Sequence, residues 1–316
     1  MQFMKTRYNS YSKYIKENYN TRIQKISINA GFTCPNRDGT KGIGGCIYCN
    51  NITFSPYYCK PSKSITQQLN EGIAFFSKKY KAQKYFAYFQ AYTNTYSDIN
   101  KLKELYEEAL SHPEVIGLII ATRPDCIDKK IINYLVELSK TKYISIEYGV
   151  ETTNNKTLEL INRCHTFEES VNAINLTSDA GLDVGVHMIL GLPGENRDVI
   201  INHAKIISKL PIKTLKLHQL QIIKGTNIEK LFSDKPELFL NFSIEQYVDL
   251  IVDFLEVLNP KIIIERFTSE SPINMIISPK WGGLKNFEIT AKIEKRLKER
   301  DSCQGKINFN NNGLLC

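Results

Sequence analysis

Short apolar segments alternate with longer amphipathic segments along most of this chain, and this alternation limits its fold more than any other feature. Six apolar segments have the length and composition of buried strands, and helical patterns separate them. The predicted strands are 24–30, 85–90, 115–121, 143–150, 184–190 and 215–223, and the predicted helices are 64–80, 98–110, 128–139, 166–180 and 198–209. This order predicts an α/β fold with a parallel sheet, either open or closed into a barrel.

The chain after residue 240 carries a further helical pattern, a short strand and a charged helix, at 242–258, 261–267 and 287–300. About 75 residues bury only a marginal core on their own. We therefore expect residues 241–316 to form an extension that packs on a core barrel built from residues 1–240. Ligands of α/β folds bind at the C-terminal ends of the strands, so motifs that follow strands are the candidates for a site.

Composition and charge narrow the class of protein. The chain has 316 residues, of which 42% are hydrophobic and 23% charged, and this balance excludes a disordered chain. A net charge of +8 suits a polyanionic partner and equally suits a solvated basic surface. No signal peptide or membrane-spanning stretch is evident. We expect a cytoplasmic protein without membrane contact, whose cysteines are thiols, metal ligands or catalytic groups.

Three of the eight cysteines lie in one glycine-rich loop directly after the first predicted strand. Eleven residues separate Cys34 from Cys46, and two separate Cys46 from Cys49. A structural zinc site needs four ligands, whereas a four-iron cluster held by three thiolates leaves one iron open for a small molecule. The spacing therefore favours a [4Fe-4S] cluster. Zinc would require Cys59 as a fourth ligand.

This loop and three further segments carry a resemblance to a known family. Residues 34–50, 88–96, 121–126 and 302–305 resemble the radical S-adenosylmethionine (SAM) superfamily, in the subgroup related to the Elongator catalytic subunit that includes the YhcC and YtqA or MnmL proteins. The resemblance extends over nearly the whole chain. It implies a partial parallel (β/α)6 TIM-like barrel with a short C-terminal α/β extension.

The resemblance also implies the cofactors. In this superfamily SAM binds the open iron of a [4Fe-4S] cluster, and its reductive cleavage gives methionine and a 5′-deoxyadenosyl radical that abstracts hydrogen from a substrate. Cys34, Cys46 and Cys49 are then the cluster ligands, and Tyr48 between them is a cofactor-binding residue. A reductant such as flavodoxin or ferredoxin would supply the electron.

We expect further SAM contacts at the ends of the strands. After the second predicted strand, Gln90, Thr93 and Asn94 occupy the place where many relatives carry a Gly-Gly-Glu segment that binds the SAM amino group; the same residues also suit a polar turn. Glu147 and Glu151 lie at the end of the fourth strand, where buried carboxylates need partners.

Arg163 lies in a segment that resembles the Arg-x-His-Thr segment of the subgroup, where an arginine pairs with the SAM carboxylate as a two-donor fork. Gly191 follows the fifth strand, and the resemblance implies contact with the adenine and ribose; a plain turn also suits this glycine. We expect His218 to face the barrel interior. His187 and His203 are interpreted as structural.

The substrate follows from the resemblance alone. The MnmL-type proteins convert the 5-carboxymethylaminomethyl group of the tRNA wobble uridine to 5-aminomethyl, and a tRNA methyltransferase then completes the side chain. We therefore expect tRNA as the substrate, with hydrogen abstraction beside the substituent nitrogen as a hypothetical route. The aromatic and basic residues between Arg7 and Lys16 suit either RNA binding or packing on the barrel.

Two alternatives stay open from the residues. One is a radical SAM enzyme that acts on another RNA position or on a small metabolite. The other is a non-catalytic RNA adaptor that binds zinc through the three loop cysteines and Cys59.

Overall fold

The computed structural model describes residues 6–78 and 83–308. Seven parallel strands form one sheet whose spatial order follows the chain. They are β1 (Arg22–Ile28), β2 (Gln83–Phe89), β3 (Val115–Thr122), β4 (Tyr143–Glu151), β5 (Asp183–Leu190), β6 (Thr214–Gln219) and β8 (Ile263–Arg266). Two short strands, β7 (Ile222–Ile223) and β9 (Ile276–Ser278), form a separate antiparallel pair. The predicted partial α/β barrel is confirmed.

Helices connect the strands and cover the sheet. They are α1 (Tyr11–Tyr19), α2 (Ile65–Ser77), α3 (Ile99–Ser111), α4 (Lys129–Ser139), α5 (Asn155–Leu160), α6 (Phe167–Asp179), α7 (Arg197–Ile207), α8 (Asn227–Asp234), α9 (Ile244–Val257) and α10 (Asn286–Glu299). Ser64, the first residue of the predicted helix 64–80, caps α2 by accepting a hydrogen bond from the Gln67 N–H. The last two residues of that predicted helix, 79 and 80, lie outside the described residues. None of the described helices is long and apolar enough to cross a bilayer.

The sixth predicted strand is divided in the structure. β6 ends at Gln219, and the next apolar residues, Ile222 and Ile223, pair with β9 outside the main sheet. The apolar pattern continues across this break because both parts are buried. The predicted strand at 261–267 forms β8, which pairs with β6 as a seventh strand of the barrel. The C-terminal part therefore extends the sheet, and the boundary at residue 240 stays a prediction.

The N-terminal segment packs on the barrel. Tyr14 of α1 lies under Lys213, whose Nζ is 4.9 Å from the ring centre, at the end where the strands begin. The Tyr8 ring meets the Phe267 ring edge-on at 5.0 Å. The carbonyl of Asn9 accepts a hydrogen bond from the Ile264 N–H on the free edge of β8, at 2.7 Å. Of the two interpretations of this segment, the structure shows packing.

The two faces of the sheet differ in polarity. Alternate strand residues point to opposite faces. One set joins the apolar core with the helices, and it includes Ile26, Leu118, Ile146, Val186 and Leu217. The other set lines a cavity inside the barrel, and it includes Lys25, Tyr88, Glu147, His187 and Lys216. The polar interior of the barrel is therefore where a ligand site can form.

Candidate functional site

A cavity of about 470 Å³ lies inside the barrel, between the cysteine loop and the inward residues of the strands. The three cysteines of that loop, Cys34, Cys46 and Cys49, all line it. Its volume falls in the range of roughly 300 to 1,000 Å³ that is typical of small-molecule and cofactor sites. The structure thus brings the three predicted metal ligands to one wall of one cavity.

Buried Asn36 shapes the cysteine loop from within. Its Nδ2 donates to the carbonyl of Asn162 at 2.5 Å and lies 3.6 Å from the Cys46 sulfur. A Cβ at Gly42 would lie 2.2 Å from the Asn36 Oδ1, so only glycine fits there. Glycine is therefore needed at this position of the glycine-rich loop so that the backbone can pack against Asn36.

Nitrogen donors lie near the sulfurs of Cys46 and Cys49. Arg163 Nη1 lies 3.5 Å from the Cys46 sulfur, and Asn51 Nδ2 lies 3.8 Å from the Cys49 sulfur. Burial raises the pKa of Cys49, which favours the neutral thiol, while Arg37 opposes this shift. Hydrogen bonds and nearby cations favour thiolates, which are the form that binds metal. The donor set therefore fits a thiolate-bound cluster.

Cys59 lies outside the cavity. Its thiol donates a hydrogen bond to the Ser27 carbonyl at 2.8 Å, and burial raises its pKa to about 12. Among the described residues, no three histidine, cysteine or carboxylate side chains are arranged around a single metal ion. A four-iron cluster binds each thiolate through a different iron, so it does not need that arrangement. Cys34, Cys46 and Cys49 line the same cavity, whereas Cys59 does not line it with them.

Arg163 joins the cysteine loop to β4. Its Nη2 donates to the Gly149 carbonyl at 2.5 Å and lies 3.6 Å from Glu151 Oε1. Although burial opposes its charge, Tyr48, Cys46 and Glu151 raise the pKa of Arg163 well above its usual range. Arg163, Tyr48 and Glu151 all line the cavity. These three predicted cofactor residues therefore form one group beside the cysteines.

Arg123 is a cavity residue to which the sequence analysis assigned no role. Its side chain is only 3% exposed, and it forks on Asp125 at 2.8 and 2.9 Å. The same guanidinium donates to the Arg163 carbonyl at 2.8 Å, and its buried Nη1 has no hydrogen-bond partner. Its position directly after β3 is a signal that could have identified it.

The segment after β2 divides into cavity residues and a buried support. Gln90 and Thr93 line the cavity, and Gln90 Oε1 accepts a hydrogen bond from Ser27 Oγ at 3.1 Å. Asn94 lies outside the cavity wall. Its Nδ2 donates to the Ala121 carbonyl at 2.8 Å, which ties this segment to β3.

Gly191 lies away from the cysteine cavity. A Cβ at this position would lie 3.2 Å from the Phe242 ring, and the backbone φ is +87°. The residue borders a smaller apolar pocket with Phe242 and Trp281. The structure therefore brings Gly191 against the C-terminal segment, and its predicted SAM contact is not part of the cavity described above.

Four charged residues form a buried set at the base of the cavity, here called the floor cluster: Lys25, Glu147, Lys216 and Glu265. Lys25 Nζ lies 2.9 Å from Glu147 Oε1 and 2.5 Å from Glu265 Oε1. Lys216 Nζ lies 2.5 Å from Glu147 Oε2 and 3.1 Å from Glu265 Oε1. Lys25 also lies 5.0 Å from the ring centre of Tyr11 on α1. Two positive and two negative side chains thus neutralise each other.

Two histidines extend the floor cluster. His187 Nε2 lies 2.9 Å from Glu147 Oε2, so the residue interpreted as structural also lines the cavity. His218 faces the interior as expected, with its ring centre 5.6 Å from that of His187. Although burial opposes its charge, Lys216 and Lys25 lower the pKa of Glu147 well below its usual value. Glu147, predicted as a cofactor residue, therefore lies in the floor cluster as an ionised group.

Comparison with known proteins identifies the family. Residues 29–207 match the radical SAM superfamily model, and residues 212–299 match the radical SAM C-terminal domain model. YtqA of Bacillus subtilis strain 168 is 36% identical over 301 residues, which are 95% of this chain and 92% of YtqA. The tRNA uridine(34) acetyltransferase of Methanocaldococcus jannaschii is 31% identical over 140 residues, which are 43% of this chain and 25% of that protein.

A solved structure shares the fold. Elp3 of Methanocaldococcus infernus, with an N-terminal deletion, superposes with a TM-score of 0.67 over 90% of this chain and 64% of that chain, at 18% identity. The superfamily match covers more than half of the chain, and it includes the three cysteines on the cavity wall. The chain therefore belongs to the radical SAM superfamily, in the subgroup related to Elp3, and is an enzyme that uses a [4Fe-4S] cluster and SAM.

Proposed function

We propose that this radical SAM enzyme acts on the wobble uridine of tRNA and converts 5-carboxymethylaminomethyluridine to 5-aminomethyluridine, with the carboxymethyl unit leaving as glyoxylate. The carbon between the amine and the carboxylate would lose one hydrogen atom to the 5′-deoxyadenosyl radical and one electron back to the redox centre. Water would then hydrolyse the resulting imine at the carbon–nitrogen bond, so that no outside oxidant is consumed. The observation that carries the proposal is one cavity that is lined both by the three cysteines of the loop and by the self-neutral floor cluster. The family match supports the radical chemistry. The relative named as a tRNA uridine(34) acetyltransferase and the net charge of +8 support an RNA substrate.

Cys34, Cys46 and Cys49 would bind the cluster in this proposal. When bound, the cluster supplies the electron that cleaves SAM and so generates the hydrogen-abstracting radical. Arg163 and Asn51 donate N–H groups toward the sulfurs and stabilise their anionic form. The protein's contribution is to hold the thiolates and to keep the cavity closed to competing reactions.

SAM would lie between the cysteines and the ends of β2, β3 and β4. Arg123 offers a buried Nη1 without a partner, which suits a carboxylate or a ribose oxygen. The Gln90 amide, Thr93 and Tyr48 are the uncharged polar groups on the same walls. Glu151 adds a carboxylate that can accept from an amino group. We assign SAM orientation to these residues together with Arg163.

The proposal has two consequences for partners. A low-potential reductant such as flavodoxin or ferredoxin would reduce the cluster. A tRNA methyltransferase would act on the 5-aminomethyl product.

The test is direct analysis of modified nucleosides. Anaerobically reconstituted protein is incubated with SAM, dithionite and tRNA that carries 5-carboxymethylaminomethyluridine, and the digested tRNA is examined by mass spectrometry. We expect 5-aminomethyluridine to replace the starting nucleoside and 5′-deoxyadenosine to accumulate. Formation of 5′-deoxyadenosine with an unchanged wobble uridine would refute this substrate and leave another RNA position or a metabolite.

The matched control is a triple variant, Cys34→Ala with Cys46→Ala and Cys49→Ala. We expect about four iron atoms per chain in the wild type and none in the variant. If the variant keeps its iron, the cysteines are not the cluster ligands. If the wild type binds stoichiometric zinc and no cluster, the adaptor alternative replaces the enzyme.

A further inference from the structure

Some members of the floor cluster have a partner for every hydrogen-bonding atom, and others do not. Lys216 Nζ has three acceptors, because Tyr88 Oη lies at 3.0 Å in addition to the two glutamates. Both oxygens of Glu147 have partners, since Oε1 faces Lys25 and Oε2 faces Lys216 and His187. These groups therefore hold one another and have little capacity left for a ligand.

Glu265 and His218 do have capacity left. Glu265 Oε1 faces both lysines, but the buried Oε2 has no hydrogen-bond partner, and its side chain is 9% exposed. His218 Nε2 is also buried without a partner. Both residues line the cavity. Burial, reinforced by His187, lowers the pKa of His218 well below its usual value, so the ring is neutral.

A buried carboxylate oxygen without a donor costs free energy, because it loses its water without gaining a hydrogen bond. A neutral imidazole nitrogen can accept a hydrogen bond as well. Two such acceptors on the neighbouring strands β6 and β8, both lining the cavity, are therefore suited to a ligand that donates. A protonated amine satisfies both, and it adds charge attraction to Glu265.

Arg266 supplies the opposite charge next to this position. It follows Glu265 directly on β8, lines the same cavity and is exposed. Among the described residues its guanidinium makes no ion pair. In the β6–β8 register Arg266 lies beside Lys216, and His218 is two residues further along β6, so Arg266 is near the acceptor pair. An arginine fork of this kind binds a carboxylate through two parallel hydrogen bonds.

We propose that Glu265, His218 and Arg266, here called the β8 subsite, bind a zwitterionic group in which a protonated secondary amine is one carbon from a carboxylate. This inference rests on the proposed function and deepens it, because the 5-carboxymethylaminomethyl substituent is such a group. Its amine donates to Glu265 and His218, and its carboxylate pairs with Arg266. The 5-aminomethyl product keeps the amine and loses the carboxylate, so it is bound less tightly than the substrate.

The test measures binding without turnover. The reconstituted full-length protein, with SAM and without reductant, is titrated into four labelled RNA hairpins that differ only at the wobble position. They carry 5-carboxymethylaminomethyluridine, 5-aminomethyluridine, 5-carboxymethyluridine or uridine. We expect the first to bind about tenfold or more tightly than the last, which is the effect of about one charge-assisted hydrogen bond. The two half-substituents should lie between them.

Two variants separate the two halves of the subsite. Glu265→Gln keeps the shape and removes the charge, and we expect it to abolish the preference for 5-aminomethyluridine over uridine. Arg266→Gln should abolish the preference for 5-carboxymethyluridine. Arg266 is exposed, so this second variant does not depend on the floor cluster for folding.

The controls are matched by residue type. Glu195→Gln removes a buried carboxylate outside the cavity, where Glu195 pairs with His203 at 3.2 Å. Arg197→Gln removes an arginine of α7 that is paired with Asp253. Both controls should keep the wild-type order of affinities.

Equal affinity of the wild type for all four RNAs overturns the β8 subsite, and so does an order of affinities that survives in both variants. Failure of the proposed function is seen separately, in the nucleoside analysis. A wild type that forms 5-aminomethyluridine but does not distinguish the hairpins would keep the function and lose the subsite. If no hairpin binds, the subsite is overturned and the tRNA assignment must be tested by product analysis alone.

Discussion

The cysteine loop and the floor cluster face the same cavity but handle charge in opposite ways. Around the cysteines, Arg37, Arg123 and Arg163 bring three guanidinium groups into a largely buried region, where Asp125 and Glu151 are the carboxylates that face them. Their N–H groups also point toward the Cys46 sulfur and toward carbonyl oxygens. On the floor, two lysines and two glutamates neutralise one another. The cysteine loop therefore favours the binding of an anionic group. The charges of the floor cluster are already neutralised by one another without a ligand.

This difference has an energetic consequence. Removing one member of a closed buried ion cluster leaves another charge without compensation, which is strongly destabilising. For a cation that faces a ligand site, the bound ligand provides part of the compensating negative charge. Mutations on the floor should therefore be costly for folding, and mutations around the loop should act more on the bound cluster.

The largest effect is expected at the floor. Lys216→Met leaves Glu147 and Glu265 short of a cation, and it should lower the free energy of unfolding by about 3 to 5 kcal/mol, measured by urea denaturation. The matched control is Lys213→Met, because the Lys213–Asp183 pair is partly exposed, with side-chain exposures of 31% and 28%, and solvent screens it. Its loss, with that of the contact to the Tyr14 ring, should cost clearly less, about 1 to 2 kcal/mol. Equal losses in the two variants would contradict the closed cluster.

The next effect is expected at Asp125, which anchors the cysteine loop. Asp125 pairs with Lys41 of that loop and with Arg123, which follows β3. Asp125→Asn should cost about 2 to 3 kcal/mol, because Arg123 keeps its contact with the Arg163 carbonyl. Although burial opposes the charge, the Arg123 fork lowers the pKa of Asp125 from 3.8 to about 2.

The sign of the pH dependence follows from this lowered pKa. The contribution of Asp125 is complete above about pH 4 and is lost as the pH falls toward about 2. The difference between wild type and variant should be constant from about pH 7 to about pH 5 and should shrink below about pH 4. Denaturation curves along this range check it. A difference that shrinks already between pH 7 and 5 would mean that another group dominates.

A smaller effect on stability is expected at Arg163. Arg163→Gln removes the N–H donor near the Cys46 sulfur and should cost about 1 to 2 kcal/mol. The reconstituted cluster should keep its iron and should have a more negative reduction potential, because hydrogen bonds to sulfur favour the reduced form. A redox titration followed by electron paramagnetic resonance measures this. An unchanged potential would separate Arg163 from the cluster.

The smallest effect is expected at Cys59. Cys59→Ala removes a buried thiol and one hydrogen bond to Ser27, at a cost of about 1 kcal/mol. Iron content should equal that of the wild type, in contrast to Cys49→Ala, which should lose the cluster. Loss of metal from Cys59→Ala would restore the zinc alternative.

The cysteine loop could be predicted from the sequence because its ligands lie within sixteen consecutive residues. The barrel was predictable for a similar reason, since strand and helix patterns are local. The break between β6 and β7 was not, because burial keeps both parts apolar. The floor cluster has no local pattern: Lys25, Glu147, Lys216 and Glu265 lie on four strands far apart in the chain. Only the inward direction of each strand residue brings them together.

The contact between Asn9 and Ile264 has a consequence for solubility. A partly closed barrel leaves two edge strands, and an exposed edge presents unpaired N–H and C=O groups that can recruit another chain. The Asn9 carbonyl occupies one such N–H on β8, and the Ser10 backbone continues this pairing beside Ile264. The segment that precedes α1 thereby covers part of the β8 edge and lowers its tendency to pair with a strand of another chain.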